Sequence, residues 1–401
     1  MRHPIHLIAG LVLWSLPLSA GPALAQPGVT ATEIKIGNTN PYSGPLSAYG
    51  TIGKSIAAYF RKVNDEGGVN GRKINFITLD DSYSPPKTLE MTRQLVEREQ
   101  VLLMFQPLGT PTNSAIWKYL NDQKVPQLFV ATGATKFGDP QGHPWTMGWQ
   151  PTYQTEGHIY ALYILKNFPD AKIGVLYQND DAGKDYLKGL KDGLGEAARL
   201  IVSEQSYEVT DPTVDSQVVN LKNSGANVFF NATAPKFAAQ AIRKAYDLGW
   251  KPVQILASVS ASVQAVLKPA GVEAARGIVS AQYMKDVTDP QWKSDPGYRD
   301  WAAFMQRYYP GGALDDQFNA YGYTVAQNFV YVLKLCGSDL SRANIMRQAA
   351  SLKDLSLPML LPAVRINTSP TDFFPIEQMQ LGRFDGEHWA LFGDLLDASK
   401  K

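Results

Sequence analysis

Val101 to Phe105, VLLMF, is five apolar residues in a row. A run this short with no polar face is a strand covered on both sides, and strands of that kind occur in parallel sheets flanked by helices. The rest of the chain has to supply those helices, and it does. Ile34 to Gly50, IKIGNTNPYSGPLSAYG, reads as a strand, a loop of Asn, Pro, Ser and Gly, and the start of a helix that carries Ile52, Ile56, Tyr59, Phe60 and Val63 on one stripe. Ile74 to Leu79 predicts a second strand ending in Asp80-Asp81-Ser82, and Lys87 to Glu99 a second helix. Val101 to Phe105 runs into Gln106 to Asn113, with a helix from near Ser114, and Gln127 to Val130 predicts a fourth strand ending in Ala131 to Thr135. Strand, polar loop and helix alternate, which is a doubly wound α/β pattern.

A second series follows Gly148-Trp149-Gln150-Pro151. Strands are predicted at 172–177, 201–209, 227–231, 254–257 and 277–282, and helices at 154–167, 184–198, 214–223 and 236–248. Long helices cover 301–309 and 317–335, a shorter one 343–350, and Arg383 to Trp389 reads as a hairpin. Two similar series in 401 residues predict two similar lobes with a cleft between them, a common place for a ligand and for hinge closure. Loops at the carboxyl ends of the strands are where such sheets bind ligands.

Charge narrows the function. With 19% charged residues and a formal net charge of +1, the chain has no electrostatic footprint for nucleic acid or an anionic membrane. Residues 1–25 read as a cleaved export signal: Arg2 and His3 form a basic start, Leu7 to Ala20 is apolar, and Ala23-Leu24-Ala25 is a small-x-small cleavage site. The single cysteine, Cys336, allows no internal disulfide and sits in an apolar helical run, where a buried, inert thiol is expected.

Catalytic patterns are missing. There is no GxSxG, HExxH, Walker loop or paired cysteine, and His143, His158 and His388 have no metal-like spacing. Asp80-Asp81 and Asp180-Asp181 sit at strand-to-helix loops and are read as caps rather than acid/base pairs. The chain is therefore expected not to be an enzyme, and no cofactor or metal is expected.

Ser43 to Gly50 after the first strand, the turn Gly67-Gly68-Val69-Asn70-Gly71, and Asp80-Asp81 after the second strand carry a family resemblance. Together with the repeated lobe pattern, they resemble the periplasmic substrate-binding proteins of ABC importers, of the branched-chain amino acid (Leu/Ile/Val-binding) type. The resemblance runs from about Ile34 to the C-terminus. It implies an α/β, type I periplasmic binding protein fold of two doubly wound lobes joined by a three-strand hinge. Lobe 1 would take 26–150 and 280–355, and lobe 2 would take 151–279 and 356–401. It also implies a periplasmic location, an importer permease as partner, and a monomer.

The family holds the ligand's α-carboxylate with backbone and hydroxyl groups of the first lobe. Those positions carry Leu108-Gly109-Thr110 and Ala131-Thr132-Gly133 here, so the anion grip is retained. Read without the resemblance, both segments are also ordinary helix starts. Tyr49 matches a tyrosine that packs on the ligand side chain. The ammonium group of an amino acid is held in the family by two tyrosines and a glutamate, and those positions carry Ala182, Thr233 and Val259. A buried ammonium without a counter-charge costs several kcal/mol. The family's disulfide is also missing, with Tyr83 and Pro107 near its cysteine positions.

The expected ligand is therefore a carboxylate on a hydrophobic body, an aromatic acid first and a medium-chain aliphatic acid second. Tyr42, Trp149, Tyr153, Tyr177 and Tyr283 stand at predicted lobe-facing ends, where each either meets a ligand or packs in the core or hinge. The competing readings are a branched-chain amino acid or amide binder, an exported ligand sensor, and an exported enzyme on carboxylic substrates.

Overall fold

The computed structural model describes residues 26–397. The export signal expected over 1–25 lies outside the described residues. The first lobe is built on a five-stranded, all-parallel sheet of β1 (Glu33–Asn40), β2 (Lys73–Asp80), β3 (Leu103–Phe105), β4 (Gln127–Val130) and β5 (Thr146–Gly148), in the order β2-β1-β3-β4-β5. The second lobe has seven strands: β6 (Ile173–Gln178), β7 (Ile201–Tyr207), β8 (Val228–Ala232), β9 (Val253–Leu256), β10 (Val279–Gln282), β11 (Gln378–Phe384) and β12 (Trp389–Asp397). Their order is β12-β11-β10-β9-β8-β6-β7, parallel except where β11 and β12 run antiparallel at one edge.

Each sheet reverses its winding at one strand. β1 lies between β2 and β3, and β6 lies between β7 and β8. Such a reversal splays the adjacent loops apart and opens a crevice at the carboxyl edge. Helices α1 (Gly50–Asp65), α2 (Pro85–Arg93) and α3 (Thr110–Asp122) follow strands of the first sheet. In the second lobe α4 (Tyr153–Asn167) precedes β6, and α5 (Asp181–Leu194), α6 (Asp215–Asn223) and α7 (Pro235–Asp247) follow strands. The short turns α8 (Lys268–Ala270) and α9 (Val272–Ala275) lead to β10.

After β10 the chain returns to the first lobe as α10 (Pro296–Tyr308), α11 (Gln317–Leu335) and α12 (Arg342–Ala349). The return is driven by aromatic packing: the Phe105 and Phe329 rings stack at 4.3 Å, and Tyr59 meets Phe304 and Tyr323 at 6.0 and 5.1 Å. Arg342 donates from Nε to the Leu102 carbonyl at 2.7 Å and from Nη2 to that of Val101 at 3.0 Å, pinning α12 to the chain that enters β3. The chain thus passes between lobes three times, after β5, after β10 and after α12.

Several helices start earlier than predicted, α10 at Pro296 rather than 301 among them, and for two of these starts the cause is local. α3 begins at Thr110 rather than near Ser114 because Pro111, which reads as loop, fits the first turn of a helix. α5 begins at Asp181 rather than Lys184 because Asp180 caps it, accepting from the N–H groups of Ala182 (2.9 Å) and Gly183 (3.2 Å). β5 was not predicted. It is three residues long and lies among Gly, Pro and His residues.

Candidate functional site

The loops at the carboxyl ends of β1, β3 and β4 face those of β6, β8 and β9 across a cleft. Between them lies a cavity with about 980 Å³ of atom-free space, part of it open to solvent. That volume is an upper bound, because it includes space open to solvent.

The first-lobe wall is made by Tyr49, Tyr83, Leu108, Gly109, Thr110 and Ala131. Gly109 has φ +102°, and a Cβ there would stand 2.3 Å from the Tyr83 ring. Only glycine lets the chain pass this close beneath the ring. Tyr83 itself has φ +59°, rare for an aromatic residue, and is held there by its N–H donating to Asp81 Oδ1 at 2.9 Å. α3 starts at this wall without a side-chain cap. Thr110 Oγ1 and Thr132 Oγ1 are 2.6 Å apart, and Thr132 Oγ1 is 3.4 Å from the Tyr153 hydroxyl. Three hydroxyl protons serve two contacts, so at least one is left to donate to a ligand. Thr132 and Gly133 stand one layer behind the wall, with Gly133 packed against the Tyr153 ring.

The second-lobe wall includes Ala182, Thr233 and Val259, together with Tyr186 and Ser258. Ala182 lies in the first turn of α5, and Tyr186 is four residues on, on the same helix face. Two carboxylates lie near this wall, and both are occupied. Asp180 caps α5 and also accepts from Gln178 Nε2. Glu156, in the first turn of α4 and 1% exposed, accepts four hydrogen bonds. These come from the hydroxyls of Tyr160 (2.6 Å), Tyr186 (3.1 Å) and Ser258 (2.7 Å) and from the Ser258 N–H (2.6 Å). Burial pushes the Glu156 carboxyl above the usual glutamate range, against those hydrogen bonds.

The lobes touch around the cavity. The Tyr49 hydroxyl donates to the Val259 carbonyl at 3.2 Å, Lys136 pairs with Asp181 at 2.6 Å, and Ser262 Oγ donates to Asp316 Oδ1 at 3.0 Å. The two lobes are therefore in direct contact across the cleft. Of the remaining aromatic candidates, Tyr153 and Tyr283 line the cavity. Trp149 is buried behind it, 6.4 Å from the Tyr283 ring and 5.1 Å from that of Tyr321. Tyr177 packs at the edge of the core on β6, away from the cavity, and Tyr42 bonds Thr78 outside it.

Sequence reasoning did not single out Tyr83, Tyr186, Tyr321, Phe318, Gln150 and Gln178, all of which line the cavity. Tyr186 had a usable signal, its spacing of four from Ala182 along one helix. The others are brought in by long-range folding. Among the described residues that line the cavity there is no Asp, Glu, Lys, Arg or His.

Three comparisons bear on this architecture. A family model described as periplasmic binding protein matches residues 33–388. A curated relative, the Leu/Ile/Val-binding protein homolog 7 of Brucella suis biovar 1 (strain 1330), is 25% identical over 291 residues, covering 71% of this chain and 70% of the relative. Among solved structures, a branched chain amino acid ABC transporter from Thermus thermophilus with bound valine superposes with a TM-score of 0.81 at 15% identity, covering 92% of this chain and 97% of that one. A solute binding protein of an ABC transporter from Rhodopseudomonas palustris BisB5, in complex with 3,4-dihydroxy benzoic acid, superposes with a TM-score of 0.74 at 19% identity, covering 92% and 99%.

Proposed function

The chain belongs to the periplasmic binding protein family, whose members bind ligands rather than transform them, and on that premise we propose that it is the extracytoplasmic binding component of an ABC importer for a small hydrophobic carboxylate. An aromatic acid is the favoured ligand and an aliphatic acid the second. The ligand enters the open cleft and its carboxylate docks at the start of α3 on the Thr110 N–H and hydroxyl, because the Gly109 N–H, expected from the sequence to be free, donates to the Ala131 carbonyl at 3.2 Å and Pro111 has none. Backbone N–H groups at a helix start are a natural anion seat. The second lobe then closes over the apolar body, and the closed form delivers it to a membrane permease.

The observation that carries the reading is the absence of any acid or base among the described cavity-lining residues. An ammonium group beside Ala182, Thr233 and Val259 would meet no carboxylate in the cavity lining, and the nearby Asp180 and Glu156 already accept hydrogen bonds from their own neighbours. Such a group pays a large desolvation cost. A carboxylate can be held by neutral donors, and the first lobe offers them. The dihydroxybenzoate bound by the Rhodopseudomonas palustris protein is in keeping with this reading.

The second reading, a branched-chain amino acid, is favoured by the names of the curated relatives and by the valine in the Thermus thermophilus structure. The test is a thermal-shift and calorimetric panel on protein unfolded and refolded to remove carried-over ligand. The panel is leucine, valine, benzoate, 4-hydroxybenzoate, coumarate and octanoate. A ligand specific for the folded state raises the melting temperature. Shifts with acids and none with leucine are expected, and a leucine shift as large as those of the acids overturns the proposal.

A further inference from the structure

The hydroxyls on the two walls of the cleft are not equivalent, and the difference is set by Glu156. An ionised carboxylate only accepts hydrogen bonds. Glu156 Oε2 lies 2.7 Å from Ser258 Oγ and 3.1 Å from the Tyr186 hydroxyl, so both protons point away from the cavity into the carboxylate. Its Oε1 takes the Ser258 N–H and faces the Tyr160 hydroxyl, whose one proton also lies 2.9 Å from the Leu256 carbonyl and whose oxygen takes the Ala281 N–H at 2.9 Å. The third hydroxyl of this wall, Thr233 Oγ1, donates to Asn231 Oδ1 at 2.6 Å. The Ser258, Tyr186 and Thr233 hydroxyls therefore turn lone pairs, not protons, toward a ligand. The opposite end is the reverse, with the start of α3 and a spare proton on the Tyr153 hydroxyl, which Thr132 reaches from the first lobe.

We propose that Glu156 is a specificity-determining positioning residue. It fixes Ser258 and Tyr186 as acceptors, so the second-lobe end of the cleft selects a ligand with a neutral hydrogen-bond donor, such as a hydroxyl, remote from its carboxylate. This rests on the carboxylate reading above and adds the chemistry of the ligand's other end. On that reading a carboxylate is disfavoured beside Ser258, Tyr186 and Thr233, whose lone pairs face it. Each of the four donors around Glu156 is thereby oriented as part of the wall or its support.

The test compares 4-hydroxybenzoate, 4-methoxybenzoate and benzoate by calorimetry at one pH, on the wild type, Glu156→Gln and Ser258→Ala. The wild type is expected to bind 4-hydroxybenzoate about tenfold more tightly than 4-methoxybenzoate, the scale of one well-made hydrogen bond. Glu156→Gln places an amide donor against Ser258 and Tyr186, frees their protons, and is expected to bring the ratio near one whatever it does to absolute affinity. A purely structural role would lower all three affinities and keep the ratio. Should Glu156→Gln fail to fold, Ser258→Ala removes one acceptor and is expected to shrink the ratio. Acids bound without preference by the wild type, or an unchanged ratio in the folded variants, overturn the inference alone. If no acid binds and leucine does, the carboxylate reading falls with it.

Discussion

The Tyr49 hydroxyl donates across the cleft to the backbone carbonyl of Val259, 3.2 Å away. One residue precedes α1 in the first lobe and the other follows β9 in the second, so this bond exists only while the lobes are closed. The Tyr49 ring is fixed by Phe318, with centroids 5.1 Å apart, and the hydroxyl arrives already aimed. Tyr49→Phe keeps the ring and removes the bond. A neutral hydrogen bond of this kind is worth about 0.5–1.5 kcal/mol net, so affinity is expected to fall about two- to tenfold. The loss should appear mainly as faster dissociation, as losses at an existing contact usually do. Stopped-flow release of bound ligand checks this, and an unchanged dissociation rate refutes it.

Gly109→Ala acts on the opposite wall. The backbone there, at φ +102°, disfavours any L side chain, and the new methyl would lie 2.3 Å from the Tyr83 ring. Strain of this sort costs about 1–3 kcal/mol. The ring is the softer partner, so it should leave the cavity wall. Melting temperature is expected to fall and ligand affinity to drop more than about tenfold, a change of about 1.4 kcal/mol or more. A variant that matches the wild type in both shows that the ring is not seated by Gly109.

These two residues mark what the sequence made legible. α11 (Gln317–Leu335) and β4 (Gln127–Val130) were located end to end, because an apolar run bounded by polar or glycine residues fixes an element by local chemistry. Tyr49 and Gly109 were found through a resemblance between short motifs. Tyr83 and Glu156 were not. Tyr83 reaches the cavity through a positive φ that no periodicity announces, and Glu156 in the first turn of α4 reads as an ordinary dipole partner until Ser258, 102 residues later, folds onto it. Cavity membership of this kind is a property of the sheet order, which brings the ends of β6, β8 and β9 together.

Asp80 gives a pH signature. Burial raises its carboxyl, but hydrogen bonds from Ser43 and Ser82 and the charge of Lys87 outweigh this and hold it at about 2, below its ordinary 3.8. The folded state keeps the charge where the unfolded chain has taken a proton. Asp80 therefore adds stability above pH 3.8 that is lost as pH falls toward 2. Asp81 beside it is raised by burial and works in the opposite sense, so the wild-type curve mixes the two. The difference between the wild type and Asp80→Asn isolates the first. Chemical denaturation at a series of pH values should show the two proteins converging in stability across that window. A constant gap down to pH 2 is the outcome that rejects it.

The most direct challenge to the ligand assignment is to restore the missing charge. Val259 lines the cavity at the end of Ser258-Val259, opposite Tyr49, and is half-buried there. Val259→Glu puts a carboxylate where the family resemblance places the ammonium partner. Without ligand, that carboxylate is buried with no cation among the described cavity-lining residues and with Glu156 already bound to the neighbouring Ser258. Unpaired, it destabilises the closed form, so the unliganded melting temperature is expected to fall. An amino acid brings the cation, and binding repays the loss, so leucine should now raise the melting temperature and aromatic acids should raise it less than in the wild type. Val259→Gln, the same shape without the charge, should gain no leucine response. If leucine stabilises the wild type and both variants alike, the absent counter-charge is not what excludes an amino acid from this cleft.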